Sequence, residues 1–378
     1  MQLKGALVWG PDEGFAGRGL SVSSSGLIGP SDDNCVSDLS GLKIIPGFAD
    51  THIHGFGGAD TSDGDVDGII HMSRELVKRG ITAFCPTTMT ISEDKIFQVF
   101  GAVSKARRIL EEEHLPHSRI LGIHLEGPFL SPKRTGVQGF EYLRDPDIDL
   151  INRLEGKYPG LLKIIDIAPE LDGSSEFIDC LSSRYSISIA HSDADYDTAC
   201  FAFENGADSV THILNAMPPI DKRAPGIACA AFDKEAYVEL ISDGIHVEAP
   251  VIRMLYRTVN DDRIITVSDS MRGAGMPDGK YMLGDTEVTC KSGRTFYGPE
   301  GGLAGSVTDL MSEYRRLLLS GCDENKVIRS LTVNPYERTG VEGGRLDDGY
   351  PADFLVFDSE EHIDTYSLGM SCRAYNML

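Results

Sequence analysis

The sequence predicts a (β/α)8 barrel of the TIM type, with a small β-sandwich domain formed by both termini. Two observations carry the barrel. Eight short apolar runs recur between residues 44 and 345, and stretches of helical period separate most of them. A third observation carries the sandwich: both ends of the chain break into short apolar pieces punctuated by Gly, Ser and Asp.

The strand candidates are residues 44–52, 81–86, 119–125, 162–168, 186–190, 209–212, 237–241 and 263–267. They are rich in Ile, Val and Leu with little alternation, as strands covered on both faces are. Helical periodicity marks 66–79, 93–113, 195–205 and 248–260, and 306–320 and 323–330 look helical after the eighth strand. Residues 1–43 and 346–378, the latter with the apolar run 352–357 behind the turn-rich 343–349, are assigned to the sandwich, and 44–345 to the barrel. There is no internal repeat and no low-complexity linker.

Composition narrows the function. A chain of 378 residues can bury a large core, and 41 % apolar with 25 % charged residues is a globular balance. The net charge of −23 argues against nucleic acid and against an anionic membrane, both of which need basic surface. Eight cysteines without a Cys-x-x-Cys pair argue against a disulfide framework and fit reduced thiols. The first ten residues lack a long apolar signal segment, and no run approaches the roughly 20 apolar residues of a membrane span. The expectation is a cytoplasmic protein with a small-molecule substrate.

Barrel enzymes carry their reacting groups at the C-terminal strand ends, and here six of the eight ends are polar. The first ends in His52 and His54, two apart and hence on one face. The third ends in His124 and Glu126, the fifth in His191, the sixth in His212, the seventh in Asp243 and His246, the eighth in Asp269. Glu126, His191 and His212 would make a three-ligand site with a position open for water, the usual form of catalytic zinc. A divalent ion there, Zn2+ foremost although Fe, Co and Mn suit such ligands, would bring the pKa of bound water towards about 7. His52 and His54 could hold a second ion with Glu126 bridging, or simply fill the polar mouth. His124 shares the face of Glu126 and either supports it or is structural. Asp269 could take a proton from water and pass it to a leaving amine, or cap the following turn. Arg223, in a Pro-rich loop, could clamp a phosphate or be a solvated loop residue. The glycines at 55, 57 and 58 and at 301, 302 and 305 let backbone approach a ligand, but neither set is a phosphate-loop pattern.

Read together, Pro46-Gly-Phe-Ala-Asp-Thr-His-Ile-His-Gly55, Pro86-Thr-Thr88, His124-Leu-Glu-Gly-Pro-Phe129, Ala190-His-Ser192, Thr211-His-Ile-Leu-Asn-Ala-Met217, Ser242-Asp-Gly-Ile-His246, Ser268-Asp-Ser-Met271 and Leu303-Ala-Gly-Ser306 resemble, in order, the segments of N-acetylglucosamine-6-phosphate deacetylases in the amidohydrolase superfamily. The resemblance covers essentially the whole barrel. The His-x-His alone is specific only to the superfamily, whereas the Glu-Gly-Pro, His-x-x-Asn-Ala-Met and Asp-Gly-x-His segments together are specific to the deacetylases. It implies hydrolysis of the acetamide of N-acetyl-D-glucosamine 6-phosphate to D-glucosamine 6-phosphate and acetate. Glu126, His191 and His212 then match the metal ligands, and Asp269 the general acid/base. Asn215 and Ala216 match positions that contact the sugar phosphate. Arg223 and His246 match a phosphate-binding pair that reaches across from the neighbouring subunit, which implies a homodimer with composite sites. Val137, Gln138, Asp243, Gly244, Ile245, Leu303, Ala304 and Gly305 complete the implied substrate-binding set.

Two features vary within that family. Gln138 stands where some members carry a carbonyl-polarising His; an amide donates a hydrogen bond but does not titrate. The His52/His54 pair, lost in some members, is kept here. A deacetylase of another N-acetyl-hexosamine phosphate, such as the galactosamine isomer, is the nearest alternative. A non-catalytic sugar-phosphate sensor would be expected to lose a ligand or the acid/base. Dihydroorotase-like relatives bridge two metals with a modified lysine from strand four, and 163–169 has none at its C-terminal end.

Overall fold

The computed structural model describes residues 1–30, 36–113 and 115–357, together with the backbone of 363–367. Eight parallel strands form the barrel: β1 Phe48–Ile53, β2 Ile81–Thr88, β3 Ile123–Leu125, β4 Leu162–Ile167, β5 Ser186–Ile189, β6 Ser209–Val210, β7 Tyr237–Leu240 and β8 Ile264–Thr266. Each pairs with the next in chain order. Closure from β8 back to β1 is made by a single parallel bridge between Ile53 and Ser270. Asp269 N donates to His52 O (3.0 Å) and Ser268 Oγ to Asp50 Oδ2 (2.5 Å), so the closing seam lies under the predicted site.

A helix follows each strand: α1 Val66–Val77, α2 Glu93–Glu112, α3 Ile148–Lys157, α4 Ser174–Leu181, α5 Tyr196–Glu204, α6 Gly226–Asp233, α7 Ala249–Thr258 and α8 Leu310–Leu319. Side chains of Asp65, Ser92, Asp147, Asp195 and Asp309 accept from the first-turn N–H groups of α1, α2, α3, α5 and α8, which fixes where those helices start. Two further helices, α9 Glu324–Leu331 and α10 Val333–Thr339, close the barrel unit.

The terminal segments form two sheets. One has the order 363–367, Asp353–Phe357, Lys43–Pro46, Leu7–Gly10, Gly14–Gly17; the other has Leu20–Ser21, Gln2–Lys4, Val36–Asp38. Leu3, Val8, Leu20, Ile28, Ile44 and Phe354 belong to one buried cluster drawn from both ends of the chain. Of the segment 346–378 assigned to this unit, 358–362 and 368–378 lie outside the described residues.

Three differences from the sequence reading have physical causes. The run 44–52 is two strands: Lys43–Pro46 joins the terminal sheet and the barrel begins at Phe48. Gly47 makes the passage, since a Cβ there would meet Thr82 Oγ1 at 2.2 Å. Apolarity runs through both strands, so no break in hydropathy marks the change. Between β8 and α8 lies an antiparallel meander, Gly279–Leu283, Thr286–Lys291, Arg294–Tyr297 and Gly302–Leu303, that the sequence reading left out. Its signals were the turn pairs Gly284-Asp285 and Ser292-Gly293 between short alternating runs. The third difference, α10, follows α9 after a single residue and carries Pro335 in its first turn, where a missing N–H costs little.

Candidate metal centre and active site

The polar strand ends meet at the C-terminal mouth. His191 Nε2 and His212 Nε2 each stand 3.2 Å from Glu126 Oε1 and 3.2 Å from one another. Ligand atoms of a tetrahedral ion with bonds of about 2.0–2.1 Å lie roughly 3.3 Å apart, so the trio has the spacing of a zinc-type site. His191 Nδ1 donates to Arg134 O (2.7 Å), which leaves its Nε2 free to face an ion; among the described residues the buried Nδ1 of His212 has no hydrogen-bond partner. All three side chains are buried.

A second group shares Glu126. His54 Nε2 lies 3.1 Å from Glu126 Oε2, 3.2 Å from Asp269 Oδ1 and 3.4 Å from His52 Nε2. His54 Nδ1 faces Thr87 O at 3.3 Å, so this ring too presents Nε2. Glu126 therefore offers one oxygen to each group. Burial pushes its carboxyl up, but the His52, His191 and His212 imidazoles reverse this and hold it well below the usual range. Asp269 is likewise raised by burial and lowered, with the larger net effect, by His54 and His52; it stays a carboxylate, as a proton acceptor must.

The backbone at three of these positions is left-handed: φ is 43° at His191, 31° at His212 and 47° at Asp269. Such angles are uncommon for residues with a Cβ and cost of order 1–3 kcal/mol each, a concentration of strain typical of sites where a side chain must be aimed. His52 and His54, by contrast, sit in or beside an extended strand.

A cavity of about 330 Å³ opens above these ligands, and His54, Glu126, Gln138, His191, His212 and Asp269 form part of its wall. Val137, Asn215, Ala216, His246, Leu303, Ala304 and Gly305 also line it. His52 lies behind the wall, fully buried. Gln138 is spanned between two partners: Oε1 accepts from Thr90 N and Nε2 donates to Glu126 Oε2, both at 2.7 Å.

Other expected residues stand off the cavity. The Asp243 carboxylate accepts from Ile245 N (2.8 Å) and His246 N (2.9 Å) and faces His246 Nδ1 (2.8 Å), so it aims His246. Gly244 and Ile245 form the turn between them and do not line the cavity. Arg223 is exposed on its loop, away from the cavity of its own chain. His124 has both ring nitrogens occupied, Nδ1 by Thr51 O (2.9 Å) and Nε2 by Asp166 Oδ1 (3.0 Å), and so is structural.

Sequence reasoning missed Met89, Arg134, Ile241, Leu283 and Tyr297, all on the cavity wall. Leu283 and Tyr297 come from the overlooked meander. Arg134 binds Asp193 Oδ1 through Nε (2.9 Å) and Nη2 (2.7 Å), pinning the loop that carries Gln138 against the His191 segment.

The model of the amidohydrolase family matches residues 44–374. An N-acetylglucosamine-6-phosphate deacetylase of Bacillus subtilis (strain 168) is 36 % identical over 324 residues, covering 84 % of this chain and 81 % of that protein. An N-acetylgalactosamine-6-phosphate deacetylase of Escherichia coli O157:H7 is 32 % identical over 335 residues, covering 87 % of each. Among solved structures, a mutant N-acetyl-D-glucosamine-6-phosphate deacetylase from Mycobacterium smegmatis, in complex with N-acetyl-D-glucosamine-6-phosphate, superposes with a TM-score of 0.89 at 28 % identity over 98 % of both chains.

Proposed function

The chain belongs to the amidohydrolase family, and we propose that it hydrolyses the acetamide of N-acetyl-D-glucosamine 6-phosphate to D-glucosamine 6-phosphate and acetate. The observation that carries this reading is the convergence of Glu126, His191 and His212 at ligand spacing beside the Asp269 carboxylate, on the wall of a cavity of sugar size. Glu126, His191 and His212 would hold a divalent ion, zinc in this proposal, which would supply Lewis-acid polarisation of the amide and lower the pKa of water there. Asp269 accepts the proton of the attacking water, then returns it to the nitrogen as the C–N bond breaks. Gln138 keeps one amide N–H for the acetamide oxygen, because its other N–H and its oxygen are already committed.

His246, aimed by Asp243, and Arg223 are assigned to the phosphate. Because Arg223 is exposed and off its own cavity, its role requires a second copy of the chain, so a homodimer with composite sites belongs to the proposal. Among the described residues no helix is long and apolar enough to cross a membrane. Free-amine release tests the reading, with the zinc-loaded protein given N-acetylglucosamine 6-phosphate, N-acetylgalactosamine 6-phosphate and unphosphorylated N-acetylglucosamine. Release from N-acetylglucosamine 6-phosphate alone is expected. Preference for the galactosamine epimer would transfer the function to that sugar. Equal rates without the phosphate would remove the roles of Arg223 and His246, and no release would sink the reaction.

A further inference from the structure

Beneath the cavity the barrel interior is charged rather than apolar. His52 Nδ1 faces Glu239 Oε2 at 3.0 Å, and the other oxygen of Glu239 is held by Arg338 Nη1. Glu239 comes from β7 and Arg338 from α10, below the barrel floor, and both side chains are wholly buried. Arg338 Nε donates to Ser186 Oγ (3.0 Å), whose hydroxyl donates to Asp208 Oδ1 (2.8 Å). None of these four residues reaches the cavity.

A buried ion pair is no more stabilising, as a rule, than apolar residues of the same volume. Stability therefore does not explain why a strand core position flanked by Val238 and Leu240 carries a glutamate. The difference lies in what backs each imidazole of the site. His54 Nδ1 faces a backbone carbonyl, His191 Nδ1 another, and His212 Nδ1 has no partner among the described residues. Of the four, His52 has a carboxylate. A carboxylate only accepts, so it selects the tautomer with the proton on Nδ1 and turns the Nε2 lone pair towards His54 Nε2 (3.4 Å), Asp269 Oδ1 (3.6 Å) and Glu126 Oε2 (3.8 Å). A carboxylate behind a histidine also raises its basicity as a ligand. Arg338 occupies the far oxygen and prevents the carboxylate from swinging away.

We infer that Glu239, braced by Arg338, is a positioning residue that makes His52 a cation ligand. The affinity of the His52/His54 group, with Glu126 shared, for the second ion expected there is then set from the barrel floor. The inference rests on the metal reading of the site but not on the substrate.

The test is metal binding in the absence of any sugar: zinc content after equilibration, then stepwise removal by a competing chelator. Glu239→Gln alone would strand the Arg338 charge and could prevent folding. The decisive protein is therefore the double variant Glu239→Leu/Arg338→Met, which leaves no buried charge of the pair, with a thermal melt to establish that it folds. The wild type should give up two zinc ions per chain in two steps. The double variant should keep the tighter step unchanged and weaken the other by about 10–100-fold, as His52→Asn should do more severely. A single ion in the wild type overturns the inference, as do two unchanged steps in the double variant or equal weakening of both, which would mark a merely structural pair. A protein that binds zinc as expected yet releases no amine would sink the deacetylase reading alone.

Discussion

The trio of Glu126, His191 and His212 and the pair of His52 and His54 meet at one carboxylate but are built in different ways. The trio stands on the cavity wall; two of its three backbones are left-handed, and His191 Nδ1 is held by a backbone carbonyl. The His52/His54 pair rides on extended strand at the closing seam, with its inner member backed by a buried ion pair. A left-handed backbone aims His191 and His212 at the cavity wall. A carboxylate underneath holds the His52 ring by its Nδ1, and the ring stays behind the wall. The trio and His54 thus share the cavity wall, and His52 stands behind it.

Glu126→Gln should break the comparison outright, because each of its oxygens serves one group. We expect loss of bound metal and a fall in kcat/KM of about 10³-fold or more, roughly 4 kcal/mol of barrier; metal content by elemental analysis is the check, and full occupancy would mean Glu126 is no ligand. Asp269→Asn separates chemistry from binding: kcat should drop by about 10²–10⁴-fold with the trio's ion retained. Turnover within about tenfold of wild type, roughly 1.4 kcal/mol, would remove Asp269 from proton transfer. Arg223→Ala reaches neither group and should leave kcat nearly alone while raising KM for the phosphorylated sugar by about tenfold or more, the worth of a charge-assisted contact. Mixing it with Asp269→Asn should restore part of the activity if sites are composite, and no restoration would argue for sites within one chain.

The smallest effect is a pH dependence. In the ion-free protein burial pulls the His54 imidazole down, but the Asp269 and Glu126 carboxylates more than reverse this and bring it to about 10, against an ordinary 6.5. A raised pKa means the folded state holds the proton more tightly. The resulting stabilisation is complete below about 6.5 and disappears as pH rises to about 10. The Tm of chelator-treated protein should therefore decline between pH 7 and pH 10, while metal-loaded protein, whose cation replaces the proton, should change less. Parallel declines would show that no ion displaces that proton.

Much of the scaffold was legible in the chain. Eight runs of Ile, Val and Leu separated by helical stretches became eight parallel strands in chain order, because strands buried on both faces need continuous apolarity. The same rule concealed the step at Gly47, since the terminal sheet and the barrel bury their strands alike. It also passed over the meander at 279–303, whose alternating, half-exposed strands resemble turns and loops when buried runs are being sought. The site residues were legible because chemistry-bearing side chains gather at strand ends. Their exposure was not: Asp243 and His52 carry the right side chains yet turn out to aim a neighbour and to lie behind the wall.

The sequence by itself determined the residue types at each strand end and, through the two-residue period of a strand, that His52 and His54 point the same way. Only the tertiary structure decided which nitrogen of each ring faces the metal position. That choice is made by acceptors distant in the chain, such as Glu239 for His52, 187 residues away, and Glu239 is in turn oriented by Arg338, another 99 residues on. A hydrogen-bond partner selects a tautomer through distances of a few ångströms, and no local pattern of residues encodes which far-off strand will supply it.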